Sequence, residues 1–279
     1  MLNHVTATRY IAPLREGGSL PGLMEADDLG TYVVKFVGAG QGHRALIAEV
    51  VSAGIARVLG LPVPDRVTVQ LDAGFAAGEP DEEIQHLLRH SVGVNLGMDF
   101  LPGALDYDPT AFPLDAITAG RIVWFDALVG NADRSYRNPN LLWWNGIWLI
   151  DHGATVTFAH RWPTAGETAA RPYPLADHVL VQLAPDVRAA DDEFSARLTP
   201  DAIDEVVASI PGAWLEFETE FTDADHVRAA YAKQLVSRLQ ARSIWMPPLI
   251  ESAALAGADR LPPRRSRPAW VAPAPEQRS

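Results

Sequence analysis

The chain has 279 residues, 48% of them hydrophobic and 21% charged, with a formal net charge of −12. Such a length allows one large or two medium domains around a sizeable core, and the apolar content is that of a globular rather than a disordered protein. The acidic balance argues against general nucleic-acid binding, and the absence of cysteine excludes disulfides, thiol catalysis and thiolate metal sites.

In chain order, residues 5–14 and 31–37 read as strands, rich in β-branched and aromatic residues. Between them lies Arg15-Glu-Gly17-Gly18-Ser19-Leu-Pro-Gly22. Glycines there let backbone N–H groups approach phosphate, although on its own the segment reads first as a plain hairpin loop and neither glycine-rich nucleotide motif is matched. Only Lys35 and Lys233 are lysines. Lys35 sits in the second strand, where a compact cation suits phosphate; a solvent-facing strand residue is the plainer alternative. Lys233 reads as a surface residue.

Residues 43–59 carry Ile47, Val50, Val51, Ile55, Val58 and Leu59 at helical spacing, and Gly60, Pro62 and Pro64 mark the stop. Glu49 is the only acid of that helix and either pairs with Lys35 or is solvated. A strand follows at 66–71, a loop at 73–81, a short helix at 82–89 and a glycine-interrupted strand at 91–100. Pro102-Gly103 breaks the pattern and marks a lobe boundary. The backbone from Met98 to Leu101, Phe100 included, is then a hinge for an adenine edge or an ordinary strand end.

An apolar helix is expected over 113–130, with Asp126 either buried against a loop or exposed. Next come Asn131-Ala-Asp133-Arg134 and, five positions after Asp133, Asn138. Leu141 to Ile150 is apolar on both sides of Asn145-Gly146, the preferred pair for a two-residue hairpin turn. That turn pairs Trp144 with Ile147 and Leu141 with Ile150, and sets Asn140 opposite Asp151 of Asp151-His152-Gly153. Two carboxylates and an amide so grouped meet the needs of phosphoryl transfer: one acid for the attacking hydroxyl, an amide oxygen and a second acid for magnesium. Singly, such residues in loops are turn formers.

Residues 154–173 hold Arg161, Trp162, Arg171 and Tyr173, which either recognise substrate or pack and snorkel. Helices are expected near 174–183, 186–196, 200–209 and 223–244, with Thr199-Pro200 and Thr222 or Asp223 as caps. Asp191-Asp192-Glu193 reads as a solvated turn. Residues 257–279 carry five Pro and five Arg against two acids and read as a disordered tail, passive or docked on an acidic surface. The first residues lack a charged n-region and apolar h-region, and no apolar run nears the ~20 residues of a bilayer span. No membrane association and a cytoplasmic location are expected.

The ordered set Gly17-Gly18-Ser19, Lys35, Glu49, Asn131-Ala-Asp133-Arg134 with Asn138, and Asp151-His152-Gly153 resembles the HipA-like kinases over roughly residues 10–160. These are bacterial proteins with a fold related to protein kinases and phosphatidylinositol 3/4-kinases. The resemblance implies an α+β, bilobal protein-kinase-like fold. Its N-lobe (1–101) is a small antiparallel sheet plus helix, its C-lobe (102–256) is mainly helical, and 257–279 is the tail. It implies ATP and Mg²⁺ as cofactors, Asp133 as catalytic base with Asn131 shaping its loop and Arg134 bonding either the loop or the phosphates, and Asn138 and Asp151 as metal ligands. Gly17, Gly18, Ser19, Lys35, Glu49, Met98 and Phe100 would serve the nucleotide. The acceptor is a hydroxyl, most simply Ser/Thr of a protein, and an antitoxin or regulator is the implied partner. A small-molecule or lipid-headgroup kinase and a non-catalytic nucleotide-sensing module are the alternatives. Full-length HipA toxins are longer and carry an added N-terminal subdomain, so this chain resembles the shorter, stand-alone group. Its Arg134-Ser135 stands where many relatives have Arg-His or Arg-Thr.

Overall fold

Alternating apolar side chains close the first hundred residues into a barrel. The structure is a computed structural model describing residues 2–14, 20–40, 42–183 and 185–256. Strands β1 (Asn3–Pro13), β2 (Gly22–Ala26) and β3 (Thr31–Lys35) are followed by helix α1 (His43–Leu59), strand β4 (Arg66–Leu71), helix α2 (Glu82–Arg89) and strand β5 (Gly93–Asp99). The strand order is β1-β2-β3-β5-β4, closed on itself. The expected antiparallel sheet is therefore corrected. β1 and β4 run parallel, from Asn3↔Val67 to Thr6↔Gln70, and this pair closes the barrel. Val5, Met24, Val34, Phe36, Val67 and Val69 fill it, with Ile84 and Leu88 of α2. Gly97 is obligatory here, because a Cβ would lie 2.7 Å from Val69 Cγ2 and 2.9 Å from Val67 Cγ2. β2 has no counterpart in the sequence reading; it lacks the β-branched residues that signal a strand.

The second half is helical around one small sheet: β6 (Leu105–Asp106), α3 (Ala116–Val129), β7 (Leu141–Trp143), β8 (Ile147–Leu149), α4 (Val187–Arg197), α5 (Pro200–Ala208), α6 (Ala224–Gln240) and α7 (Arg242–Ala256). Trp124, Phe125, Phe194, Trp214, Tyr231 and Trp245 build its core. α1 is apolar nearly all round and lies in that core through Ile47, Val50, Val51 and Ile55. Asp115, Thr199 and Asp223 cap α3, α5 and α6 by accepting from Thr118, Ala202 and His226 N–H.

Three expectations change. Residues 174–183 form no α-helix; His178 instead pairs with Ser135 as an isolated bridge. The helix expected over 223–244 ends at Gln240, and α7 then carries Pro247 and Pro248 inside it, held by Trp245, whose Nε1 donates to Arg238 O at 2.9 Å. Asp191 and Glu193 are not merely solvated: Asp191 accepts from Trp124 Nε1 at 2.8 Å and Glu193 pairs with Arg121. Among the described residues no helix is long and apolar enough to cross a membrane.

Candidate active site

The loop after α3 is organised by one buried carboxylate. Asp126, in the last turn of α3, has no exposed side chain and accepts from Asn131 Nδ2 (2.8 Å), Arg134 Nε (2.6 Å) and His178 Nε2 (3.0 Å). Burial pushes its carboxyl up; the Arg134 guanidinium and the His178 hydrogen bond outweigh that and hold it at about 2. The sequence left Asp126 open between burial and exposure, and it is buried. Arg134 also donates to the carbonyls of Pro139 (3.4 Å) and Asn140, so its guanidinium serves the loop. Tyr173 donates to Asn131 O at 2.6 Å from the far side.

This frame presents Asp133. Its N–H donates to Asn131 Oδ1 at 3.1 Å, and its Oδ2 accepts from Asn138 Nδ2 at 2.9 Å and Asn140 Nδ2 at 3.3 Å. Asp133 is half-buried and Asn138 exposed. Asn140, buried and at φ +49°, was not singled out as a site residue; its proximity to Asp133 depends on the loop's curl, which its left-handed backbone helps to set.

A second cluster joins the barrel to the end of β8. Lys35 Nζ reaches Glu49 Oε1 of α1 and Asp151 Oδ1, the latter at 2.7 Å. Side-chain exposure is 9% for Lys35, 2% for Glu49 and 40% for Asp151, so the last faces the open side. Burial raises the Glu49 carboxyl, but Lys35 and His152 prevail and hold it well below the usual carboxylate range. Burial likewise opposes charge on Lys35, and the two carboxylates outweigh it and raise its ammonium above the ordinary lysine value. His152 Nδ1 is 3.4 Å from Glu49 Oε2, and its Nε2 is buried with no partner among the described residues.

The hairpin between the clusters is one residue out of the expected register. Leu141 pairs with Leu149 and Trp143 with Ile147, leaving Trp144, Asn145 and Gly146 as a three-residue turn. Trp144 leaves the ladder because its carbonyl accepts from Trp148 Nε1 (2.8 Å) and its own Nε1 donates to Pro102 O (3.1 Å). Ile150 N–H therefore meets Asn140 O at 3.1 Å, and Asp151, at φ +53°, falls one position beyond.

Other expected residues divide. Met98 is buried in β5 opposite Val33, and exposed Phe100 donates its N–H to Thr31 O at 3.0 Å. Gly17, Gly18 and Ser19 lie outside the described residues, as does the 257–279 tail; the flanking strands pair from Ala7↔Ala26 to Pro13↔Gly22. Trp162 and Tyr173 pack inward, whereas Arg161 and Arg171 are exposed. His178 carried no sequence signal: a lone histidine far from the loop shows its place only when the chain folds back.

A family model described as HipA-like kinase matches residues 8–247. The crystal structure of the Helicobacter pylori proinflammatory kinase CtkA is similar at 13% identity with a TM-score of 0.51, covering 92% of this chain and 98% of that one. The Golgi casein kinase is a looser likeness at 12% identity and a TM-score of 0.39, covering 87% of this chain and 72% of that one. Its structure with Mn/ADP bound gives 13% identity, the same TM-score, and 86% and 73% coverage. No curated protein matches.

Proposed function

The chain belongs to the HipA-like kinase family, and from that premise we propose that it transfers the γ-phosphoryl group of ATP to a hydroxyl, most simply that of Ser or Thr in a protein. The body is bilobal, with residues 1–101 over the nucleotide and 102–256 carrying the catalytic loop. The observation that carries the reading is Lys35 set between Glu49 and Asp151, the Lys–Glu pair and metal-binding acid that kinases require together.

Asp133 orients the acceptor hydroxyl and takes its proton as the oxygen–phosphorus bond forms and the bond from γ-phosphorus to the bridging oxygen breaks, releasing ADP. Asn131, Arg134 and Asp126 hold Asp133 in place. Lys35 contacts the phosphates and Glu49 keeps Lys35 oriented. Backbone near Met98 and Phe100 meets the base.

Asn138 and Asp151 offer oxygen donors only, which fits Mg²⁺. Among the described residues no cluster of three or more His, Asp or Glu forms a metal site, so the ion would rest on these two residues and the nucleotide phosphates, as Mg²⁺ commonly does. Bound there, Mg²⁺ supplies neutralisation of phosphate charge.

The test is thermal and denaturant stability with ATP, with and without Mg²⁺, for the wild type and Asp151→Asn. Native-state binding at a hundredfold excess over Kd raises stability by about 2.7 kcal/mol. A Mg²⁺-dependent rise lost in Asp151→Asn supports the reading; no rise in either protein at millimolar ATP overturns it.

A further inference from the structure

Glu218 lies in the connection between α5 and α6, far in sequence from the residues of the candidate site. Its side chain is 3% exposed and receives three donors: Arg44 Nε at 2.7 Å, Arg44 Nη2 at 2.9 Å and Trp162 Nε1 at 3.0 Å. Arg44 opens α1, the helix that carries Glu49. Trp162 belongs to the segment after Asp151 and packs edge-on against Tyr231 of α6 and Phe221, both at 5.0 Å. One carboxylate thus joins α1, the segment following the metal hairpin and the helical core.

The neighbouring residues of the same connection grip the same side. Phe217 stacks on His43 of α1 at 3.8 Å. Trp214 donates its Nε1 to Val94 O of β5 at 2.8 Å. Residues 212–218 form a strap from the helical half to α1 and the barrel, and Glu218 makes its bidentate contact.

We propose that Glu218 is a positioning residue for phosphoryl transfer, anchoring α1 through Arg44 and Trp162 so that Glu49 meets Lys35. In protein kinases the Lys–Glu pair is brought into place by helix positioning under the control of activation-loop phosphorylation. Here an encoded carboxylate occupies the corresponding role, and the bidentate fork on Arg44 fixes direction as well as distance. The inference rests on the proposed kinase activity for its catalytic consequence but not for its structural one.

The two lysines make a direct readout. Lys35 is held in its ion pair and Lys233 is exposed, so amine acylation followed by mass spectrometry reports release of Lys35 against an internal reference. In Glu218→Gln, Lys35 labelling relative to Lys233 rises about threefold or more, and kcat/KM for ATP falls about tenfold, the range of coupling changes in such networks. Glu218→Asp, which keeps the charge, recovers part of both. If Glu218→Gln does not fold, Arg44→Gln gives the same reading, since the Arg44 side chain is 37% exposed. Wild-type labelling and turnover in a folded Glu218→Gln overturn the proposal. A labelling change in a protein without phosphoryl transfer upholds the anchor and sinks the kinase reading instead.

Discussion

Lys35 Nζ and Asp151 Oδ1 stand 2.7 Å apart across 116 residues of chain, with Glu49 bonded to the same ammonium. The cation is therefore shared between an acid buried in the core and one facing the open side. That asymmetry separates stability from the proposed catalysis at this site. Glu49 needs Lys35 to remain ionised, whereas Asp151 can reach solvent.

Lys35→Met should leave Glu49 buried without its cation and destabilise the fold by about 3–5 kcal/mol, the range for breaking a buried pair from one side. Adding Glu49→Gln to that variant should recover part of the loss, because the stranded charge goes with it. Asp151→Asn alone should change stability by less than about 1 kcal/mol. Urea midpoints of the four proteins decide it; a Lys35→Met protein as stable as the wild type would show that the pair carries no structural weight.

The Asp126 cluster predicts how stability follows pH. Asp126 is held at about 2 against 3.8 for an unperturbed aspartate, so its contribution, about 2 kcal/mol, is present above pH 3.8 and lost as pH falls through about 2. Burial lowers His178 below 6.5, and Leu180 N–H donates to its Nδ1 at 3.1 Å, so Nε2 carries the single ring proton toward Asp126. The unfolded chain takes a second proton below pH 6.5 and the folded protein resists it. Stability should accordingly start to fall below pH 6.5, ahead of the carboxylates, and His178→Gln should flatten the curve between pH 6.5 and 3.8. Urea titrations across that interval test it, and an unchanged slope in the variant would remove His178 from the account.

What the sequence made legible was local. α1, β4 and α2 carry their periodicity and stop signals within themselves, and their bounds agree with the pattern. Lys35 stood out as one of two lysines, and Asp133, Asn138 and Asp151 by spacing. The barrel was not legible, because its closing β1–β4 pair joins residues 64 apart and parallel pairing leaves no turn signature. Nor was the hairpin register: Asn-Gly argues for two loop residues, and the contacts of Trp144 with Trp148 and Pro102 explain the third. His178 and Glu218 act through partners brought near by folding, and nothing beside them in the chain announces it.

Asn140 allows backbone and side-chain roles to be separated. At φ +49° a glycine is at ease and an alanine is strained. Asn140→Gly should fold with little loss yet slow phosphoryl transfer, because Asp133 loses one of its two amide donors. Asn140→Ala should lose about 1–2 kcal/mol more than the glycine variant. Equal stabilities for the two would refute strain at this position, and full activity in Asn140→Gly would free Asp133 from it.

Asp133 and Asn138 should fail in different ways although they are hydrogen-bonded to each other. Asp133→Asn removes the proton acceptor and leaves the Asn138 side chain in place, so transfer should fall by about 10²–10⁴ while Mg²⁺-dependent nucleotide binding persists. Asn138→Ala should do the converse at the level of the metal. The Mg²⁺ concentration for half-maximal rate should rise about tenfold or more, and excess Mg²⁺ should restore part of the rate, because a weakened site is refilled by mass action. Both residues lie on the open side, so neither change should move stability by more than about 0.5 kcal/mol. Initial rates against Mg²⁺, with nucleotide affinity measured separately, distinguish the two. Near-normal transfer by Asp133→Asn would place the base elsewhere, and an Asn138→Ala protein with unaltered Mg²⁺ dependence would confine Asn138 to holding Asp133.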